Sequence, residues 1–554
     1  MTDSSTAWWR DAVIYQIYPR SWADSDGDGM GDLPGITARL PHLVELGVDA
    51  VWLSPFYTSP QNDAGYDVAD YRDVDPRFGT LADADAMVAR AHELGLRVLF
   101  DIVPNHSSSE HPWFQEALAA EPGSAARARY LFRDGRGEHG EQPPNDWLSV
   151  FGGPGWTRVT EADGSPGQWY LHLFDVTQPD FDWTNPEVAD EMESVLRFWL
   201  DRGVDGFRID VAHGLVKAEG LPDAGAAHGE TTRTGDMPMW DQPGVHDIYR
   251  RWRKITDSYA VDGQDADRIL CAEAWVLPVD SLAKYVRSDE LHQSFNFGFL
   301  MAPWIAAELR EEITGSLAAV ETYDAPQTWV LSNHDVVRHA SRLGFDPRPG
   351  LLRMPGIGPD DPQPDAEVGL RRARAASTVM LGLPGSAYVY QGEELGLPEA
   401  TQLPESVRQD PTWERSGHTH LGRDGCRVPI PWVGDAPAYG FGPSDASWLP
   451  QPEVFGDLAV DRQRGVAGST LELYRSLLRV RRELRIGRGE LSWVDLGEDA
   501  LAFDVTGETG VVRVIANVGG DAVLLPDGEV LVCSADVDLS EGLPADTAVW
   551  LRRQ

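Results

Sequence analysis

Four short segments each end an apolar run with an acid, a base or a cation: Asp101-Ile-Val-Pro-Asn-His106, Gly206-Phe-Arg-Ile-Asp210, Ala272-Glu273-Ala-Trp275 and Leu331-Ser-Asn-His-Asp335. Together they offer three carboxylates (Asp210, Glu273, Asp335), two histidines (His106, His334) and one arginine (Arg208). That set is the inventory for splitting a glycosidic bond, where one carboxylate meets the carbon and another moves the proton. Strand period two puts Arg208 and Asp210 on one face, and a neighbouring guanidinium favours the ionised carboxylate that a nucleophile requires. Glu273 follows the apolar residues Ile269, Leu270 and Cys271 and is flanked by Ala272, Ala274 and Trp275. Partial burial there raises a carboxyl's pKa, which suits a proton donor. Taken singly, each cluster reads equally as an ion pair or an exposed strand end.

The elements that must position these groups alternate along the chain. Strand-like runs cover residues 13–19, 50–53, 98–103, 206–210, 269–273, 294–299, 329–332 and 387–391. Helical periodicity fills several gaps, as at 36–46, 83–94 and 188–201. Alternating β and α units of this number predict an α/β fold, a (β/α)8 TIM barrel, in which the strands' carboxyl ends converge on one face. Residues 105–178, rich in Gly, Pro and Trp, are far longer than a usual strand-to-helix connection. Residues 395–461 form a second long insertion, dense in Pro, Gly and Asp. Beyond about residue 480, short alternating runs at 491–494, 501–504, 511–515, 523–525, 530–532 and 548–551 predict a C-terminal antiparallel β domain.

In order and spacing the four segments resemble the signature regions of the α-amylase family of glycoside hydrolases, in its α-glucosidase and oligo-1,6-glucosidase branch. The opening Val13-Ile-Tyr-Gln-Ile-Tyr-Pro-Arg-Ser21, the segment Gln178-Pro-Asp-Phe-Asp-Trp183 and the segment Arg423-Asp-Gly-Cys-Arg-Val-Pro-Ile-Pro-Trp432 are similar to the family as well. The resemblance implies eight barrel strands in two parts, 1–104 and 179–478, an inserted domain B at 105–178 and a β domain at 479–554. It implies Asp210 as nucleophile, Glu273 as general acid and base, and Asp335 as a carboxylate that binds sugar hydroxyls and helps distort the ring. Asp63, Tyr66, His106, Arg208, His334 and Arg427 would complete a pocket for one terminal glucose, with Tyr66 stacked on the ring and Asp63 paired with Arg427 at the closed far end. Val211, next after the nucleophile, is the position that tracks linkage. The implied activity is that of a retaining, exo-acting α-glucosidase on short substrates, leaning to α-1,4 bonds. Oligo-1,6-glucosidase activity, transglucosylation or disaccharide isomerisation on the same site are the alternatives.

Asp24-Ser-Asp-Gly-Asp-Gly-Met-Gly-Asp32 packs four carboxylates into nine residues. It begins like an EF-hand loop, but position 12 would be Gly35 rather than a bidentate Glu. It reads either as a solvated acidic turn or as a hard-cation loop. The resemblance implies the latter, with Asp24, Asp26, Asp28, the Met30 carbonyl and Asp32 holding one structural Ca2+ or Mg2+. No organic cofactor is expected.

The 554-residue chain carries a formal net charge of −41, which disfavours polyanionic partners such as nucleic acid or an anionic membrane. It says little against a small neutral α-glucoside. Three cysteines (Cys271, Cys426, Cys533) are too few and too odd for a disulfide framework. No apolar run is long enough to span a bilayer, and residues 1–10 lack the pattern of a leader. A cytoplasmic enzyme, monomeric or a small homo-oligomer, is the expectation.

Overall fold

The computed structural model describes residues 7–225, 237–260, 268–347 and 356–553. Residues 1–6, which open the stretch read above for a leader, lie outside them. Eight strands close into one parallel barrel: β1 (Val13–Ile17), β2 (Ala50–Leu53), β3 (Arg97–Ile102), β4 (Gly206–Ile209), β5 (Ile269–Ala272), β6 (Gln293–Asn296), β7 (Thr328–Val330) and β8 (Ser386–Tyr390). Each pairs with its neighbours in sequence, and β8 returns to β1. All eight runs expected from the sequence are here. The strands are buried almost throughout, as expected when helices cover the outer face of a parallel sheet.

The surrounding helices start and stop where local chemistry dictates. Thr80 and Asp83 form a reciprocal capping box at the start of helix Leu81–Glu93. Helix Leu33–Leu46 begins at the cap Asp32 and ends at Gly47, whose φ of 100° suits a residue without Cβ. The excursion after β3 builds a small antiparallel sheet in which Pro166–Leu171 lies between Phe132–Arg133 and Trp156–Thr160. Bridges from His106 to Asp180 and from Tyr130 to Phe181 close its neck. The 395–461 insertion is ordered and packed: Leu403, Trp413, Val428, Ile430 and Trp432 are buried.

The C-terminal sheet has five antiparallel strands: β9 (Glu490–Val494), β10 (Ala500–Gly507), β11 (Gly510–Asn517), β12 (Glu529–Cys533) and β13 (Thr547–Arg553). Trp550 anchors it to the barrel by donating to the Thr378 carbonyl at 2.9 Å. The strand expected at 523–525 is absent. Val523 makes only an isolated bridge to Leu543, and Leu524 is exposed. The three-residue apolar run finds no neighbouring strand to complete a ladder. Among the described residues no helix is long and apolar enough to cross a membrane.

Candidate active site

Strand register sets the floor of the site. Asp101 on β3 and Cys271 on β5 both pair in register with Arg208 on β4. Arg208, 1% exposed, donates to Asp101 at 3.0 and 3.2 Å and to Asp210 at 2.6 Å, and lies 3.9 Å from Glu273. Asp210 and Glu273 each stand one residue past a strand end. Their backbone is tied across strands: Asp210 N–H donates to the Ile102 carbonyl and Glu273 N–H to that of Ile209. Val211 then turns the chain at φ 47°, a region a β-branched residue seldom adopts. The turn aims the Val211 N–H at the Glu273 carboxylate, 2.8 Å away. Backbone outliers of this kind, costing on the order of 1–3 kcal/mol, collect where geometry serves a site. Gly214 keeps the turn possible, because a Cβ there would stand 2.7 Å from the Val211 side chain.

The loop after β7 brings in His334 and Asp335. The His334 ring is stacked on Tyr66 at 5.2 Å and on Tyr18 at 5.7 Å, and Gln16 lies 2.7 Å from its Nδ1. Its Nε2 is 3.2 Å from Asp335. Arg423 reaches three carboxylates at once: Nη1 to Asp335 (2.9 Å), Nη2 to Asp63 (2.8 Å) and Nε to Asp410 (2.5 Å). Gln178 donates to the other oxygen of Asp63 at 3.0 Å and lies 3.1 Å from His106 Nε2.

Two expectations change here. The arginine paired with Asp63 is Arg423, not Arg427. Arg427 sits behind Asp335, donating to it at 3.2 Å and to the His334 carbonyl at 2.8 Å. Arg427 and Arg208 are each 1% exposed and form no part of the pocket surface, so each meets the cavity only through the carboxylates it holds. The second concerns charge. Burial pushes the Asp210 carboxyl well up; Arg208 opposes this, but Glu273, Asp101 and Asp335 add to it. Burial likewise lifts Asp101 to about 7 against the pull of Arg208. One guanidinium is shared among Asp101, Asp210 and Glu273, so its pull on Asp210 is set against burial and the charges of neighbouring carboxylates.

Asp335 behaves in the opposite way. Burial pushes it up, but His334, Arg423 and Arg427 outweigh burial and hold the carboxyl well below the usual range. Burial also keeps His334 well below its ordinary value, against the pull of Asp335. Burial raises Asp63 to about 6 despite Arg423 and Arg427, and lowers His106 to about 4.

These groups line a cavity of about 340 Å3. Asp210, Glu273, Asp335, Asp63, Tyr66, His106, His334 and Val211 all border it. Phe151 and Phe174 from the excursion after β3, Trp240 and Trp275 from barrel loops, and Thr412 and Arg423 from the long insertion complete its wall. Sequence reasoning had passed over Arg423, Asp101, Gln178 and Asp410. The first three stood inside segments already singled out, so position was legible and partnership was not.

The acidic loop lies apart from the cavity lining. Carboxylate oxygens of Asp24, Asp26 and Asp28 lie within 4.8 Å of one another. Asp26 and Asp28 each use one oxygen to accept a loop N–H, leaving the other for a hard cation, while Asp24 accepts from Asp26 and Gly27 N–H on one oxygen and from Gly29 N–H on the other. Asp32 does not join them. Its oxygens accept from Gly35 N–H and from the Ser25 N–H and hydroxyl, so it caps the next helix instead. Met30 donates its N–H to Asp28.

Comparison with known proteins agrees with this arrangement. Residues 16–488 match the alpha amylase catalytic domain. Over 515 residues the chain is 38% identical to a probable alpha-glucosidase of Rhizobium meliloti (strain 1021), covering 90% of this chain and 86% of that one. An oligo-1,6-glucosidase of Parageobacillus thermoglucosidasius is 32% identical over 575 residues, covering 97% and 96%. Among solved structures, the alpha-glucosyl transfer enzyme XgtA has a TM-score of 0.84 at 36% identity, over 99% of this chain and 100% of that one.

Proposed function

This chain belongs to the α-amylase family of glycoside hydrolases, and we propose that within it the protein is a retaining, exo-acting α-glucosidase that removes terminal glucose from short α-linked oligosaccharides. The observation that carries this reading is the charged wall in which Arg423 ties Asp63 to Asp335 beside the cavity. A cavity closed at that end accepts one terminal sugar and gives a longer chain no way through.

In this mechanism the fixed carboxylate of Asp335 accepts hydrogen bonds from hydroxyls of the bound glucose, and Tyr66 packs on its face. Glu273 gives its proton to the glycosidic oxygen as the C–O bond breaks, while Asp210 bonds to the anomeric carbon. Glu273, now a carboxylate, takes a proton from water, which attacks the same carbon and releases Asp210. Two displacements return the α anomer. Arg208 steadies the charge that passes between the two carboxylates.

Linkage follows the shape beside Asp210. Val211 presents an apolar, β-branched side chain there, a residue that tracks with α-1,6 bonds, while residues 425–432 and the similarity to a probable alpha-glucosidase support a preference for short α-1,4 substrates, which we assign. The similarity to XgtA supports a second reading, glucosyl transfer to a sugar acceptor instead of water. Incubation with maltose, isomaltose, sucrose and trehalose, followed by proton NMR of the first products, tests both. α-Glucose from the non-reducing unit fits hydrolysis with retention; β-glucose from that unit overturns retention, and one free glucose with new oligosaccharides, in place of two glucoses per maltose cleaved, overturns hydrolysis. We also infer one structural divalent cation in the acidic loop. Asp24, Asp26 and Asp28 would hold it, and its part is to neutralise their mutual repulsion.

A further inference from the structure

Two separate excursions of the chain meet over the cavity, and Arg415 ties them by hydrogen bonds. Helix Pro411–Arg415 in the long insertion carries Thr412 in the cavity wall and ends on Arg415. Opposite it, the loop at 149–153 carries Val150 and Phe151 in the same wall. Arg415 donates from Nε and Nη2 to the Gly152 carbonyl at 3.1 and 2.8 Å, and from Nη1 to Asp175 at 3.3 Å. The Gly152 carbonyl can be presented this way because Gly152 and Gly153 both take left-handed backbone, φ 101° and 76°. Asp175 carries the tie inward. Its N–H donates to Gln178, whose amide donates to Asp63. Arg423, from the same insertion, lies over the Phe151 ring at 5.0 Å.

We propose that Arg415 is a specificity-determining positioning residue: it clamps the 149–153 loop to the 411–415 helix and so keeps the cavity narrow enough to favour short α-glucosides. This rests on the α-glucosidase reading above. The clamp needs a planar fork, since two acceptors on different segments must be met together; an ammonium at this place can serve only one of them well. With the tie cut, Phe151 and Thr412 can part. The wall then grips a bound disaccharide less, while longer chains lose an obstacle. Asp210 and Glu273 are held by barrel strands and keep their places.

The test compares the wild type with Arg415→Ala and Arg415→Lys on maltose and maltotetraose, with thermal melting alongside. We expect KM for maltose to rise about tenfold in Arg415→Ala with kcat within about twofold, the pattern of lost binding that ground and transition states share. The ratio of kcat/KM for maltotetraose to that for maltose should rise, and Arg415→Lys should fall between. Unchanged KM and chain-length ratio in both variants would overturn the proposal, as would a fall in kcat at constant KM. Should the wild type cleave no α-glucoside, the functional reading fails separately, and the clamp is read by calorimetric binding of a glucose-configured iminosugar. Equal affinity in wild type and Arg415→Ala would then sink it, and weaker binding in the variant would support it.

Discussion

Asp410 offers the sharpest test of how the charged wall is held. Its carboxylate is fully buried and accepts from Arg423 at Nε (2.5 Å) and at its backbone N–H (2.8 Å), while the other oxygen caps helix Pro411–Arg415 through Thr412 N–H. Burial pushes this acid up, yet Arg423 and Arg427 overcome burial and bring it from an ordinary 3.8 down to about 2. Asp410→Asn keeps the volume and removes the charge. At about 1.36 kcal/mol per pKa unit, the lowering from 3.8 to about 2 corresponds to a stabilisation on the order of 2 kcal/mol. The amide also turns one acceptor into a donor, which must face either Thr412 N–H or Arg423. The sign follows from the depressed pKa. The stabilisation is present above the unfolded value near 3.8 and is lost as pH falls through about 2. The variant should therefore melt about 2 °C below wild type between pH 5 and 8. The gap should narrow as pH falls from about 4 toward 2. Asp63, which feels the negative charge of Asp410, should ionise more easily in the variant, so any limb of kcat/KM near pH 6 should move to lower pH. Equal melting of the two proteins at pH 7, with that limb unmoved, would refute the idea that Asp410 holds Arg423 in place.

Asp210→Ala and Glu273→Gln should each lower kcat on maltose by at least about 10^3-fold at unchanged melting temperature, and near-normal turnover of either would remove its assignment. Chelation should lower the melting temperature while added Ca2+ or Mg2+ restores it, because an ion that binds only the folded state stabilises it by mass action. An unchanged melting curve together with no Ca2+ or Mg2+ by elemental analysis would end the cation reading. Val211→Thr keeps the shape and adds a hydroxyl, so the ratio of α-1,4 to α-1,6 kcat/KM should rise several-fold, about 1 kcal/mol in that ratio. A constant ratio would place linkage control in the excursion after β3 or in the 395–461 insertion.

The barrel was legible because its strands are buried on both faces and read as apolar runs between helical periodicities, even where β7 is only three residues long. The acids at the strand ends were legible for the same reason: a polar residue that closes an apolar run has nowhere to go but the rim. Val523–Leu525 misled because a run that short carries no record of whether a partner strand exists. Arg423 and Arg427 misled differently. They lie four residues apart in a segment without periodicity, and only tertiary structure decides which meets Asp63, 360 residues away from Arg423 in sequence.

That choice of partner governs the chemistry, because the site contains two charge groups of opposite character. Asp101, Asp210 and Glu273 gather around Arg208 alone, and there burial and mutual repulsion raise Asp101 and Asp210. Asp335 and Asp410 gather around Arg423 with Arg427 behind them, and there His334 with the two guanidiniums lowers Asp335 and the guanidiniums lower Asp410. The first group favours a proton retained among its carboxyls, which a proton donor needs. The second keeps a fixed charge, which a sugar hydroxyl needs as an acceptor. Asp63 stands between them in behaviour, raised to about 6 although it touches Arg423, because burial outweighs the guanidiniums and Asp410 and Asp67 add to it. The division does not depend on residue type, since both groups are aspartate or glutamate around arginine. It depends on the ratio of carboxylates to guanidiniums, and the barrel register sets that ratio for the first group and the long insertion for the second.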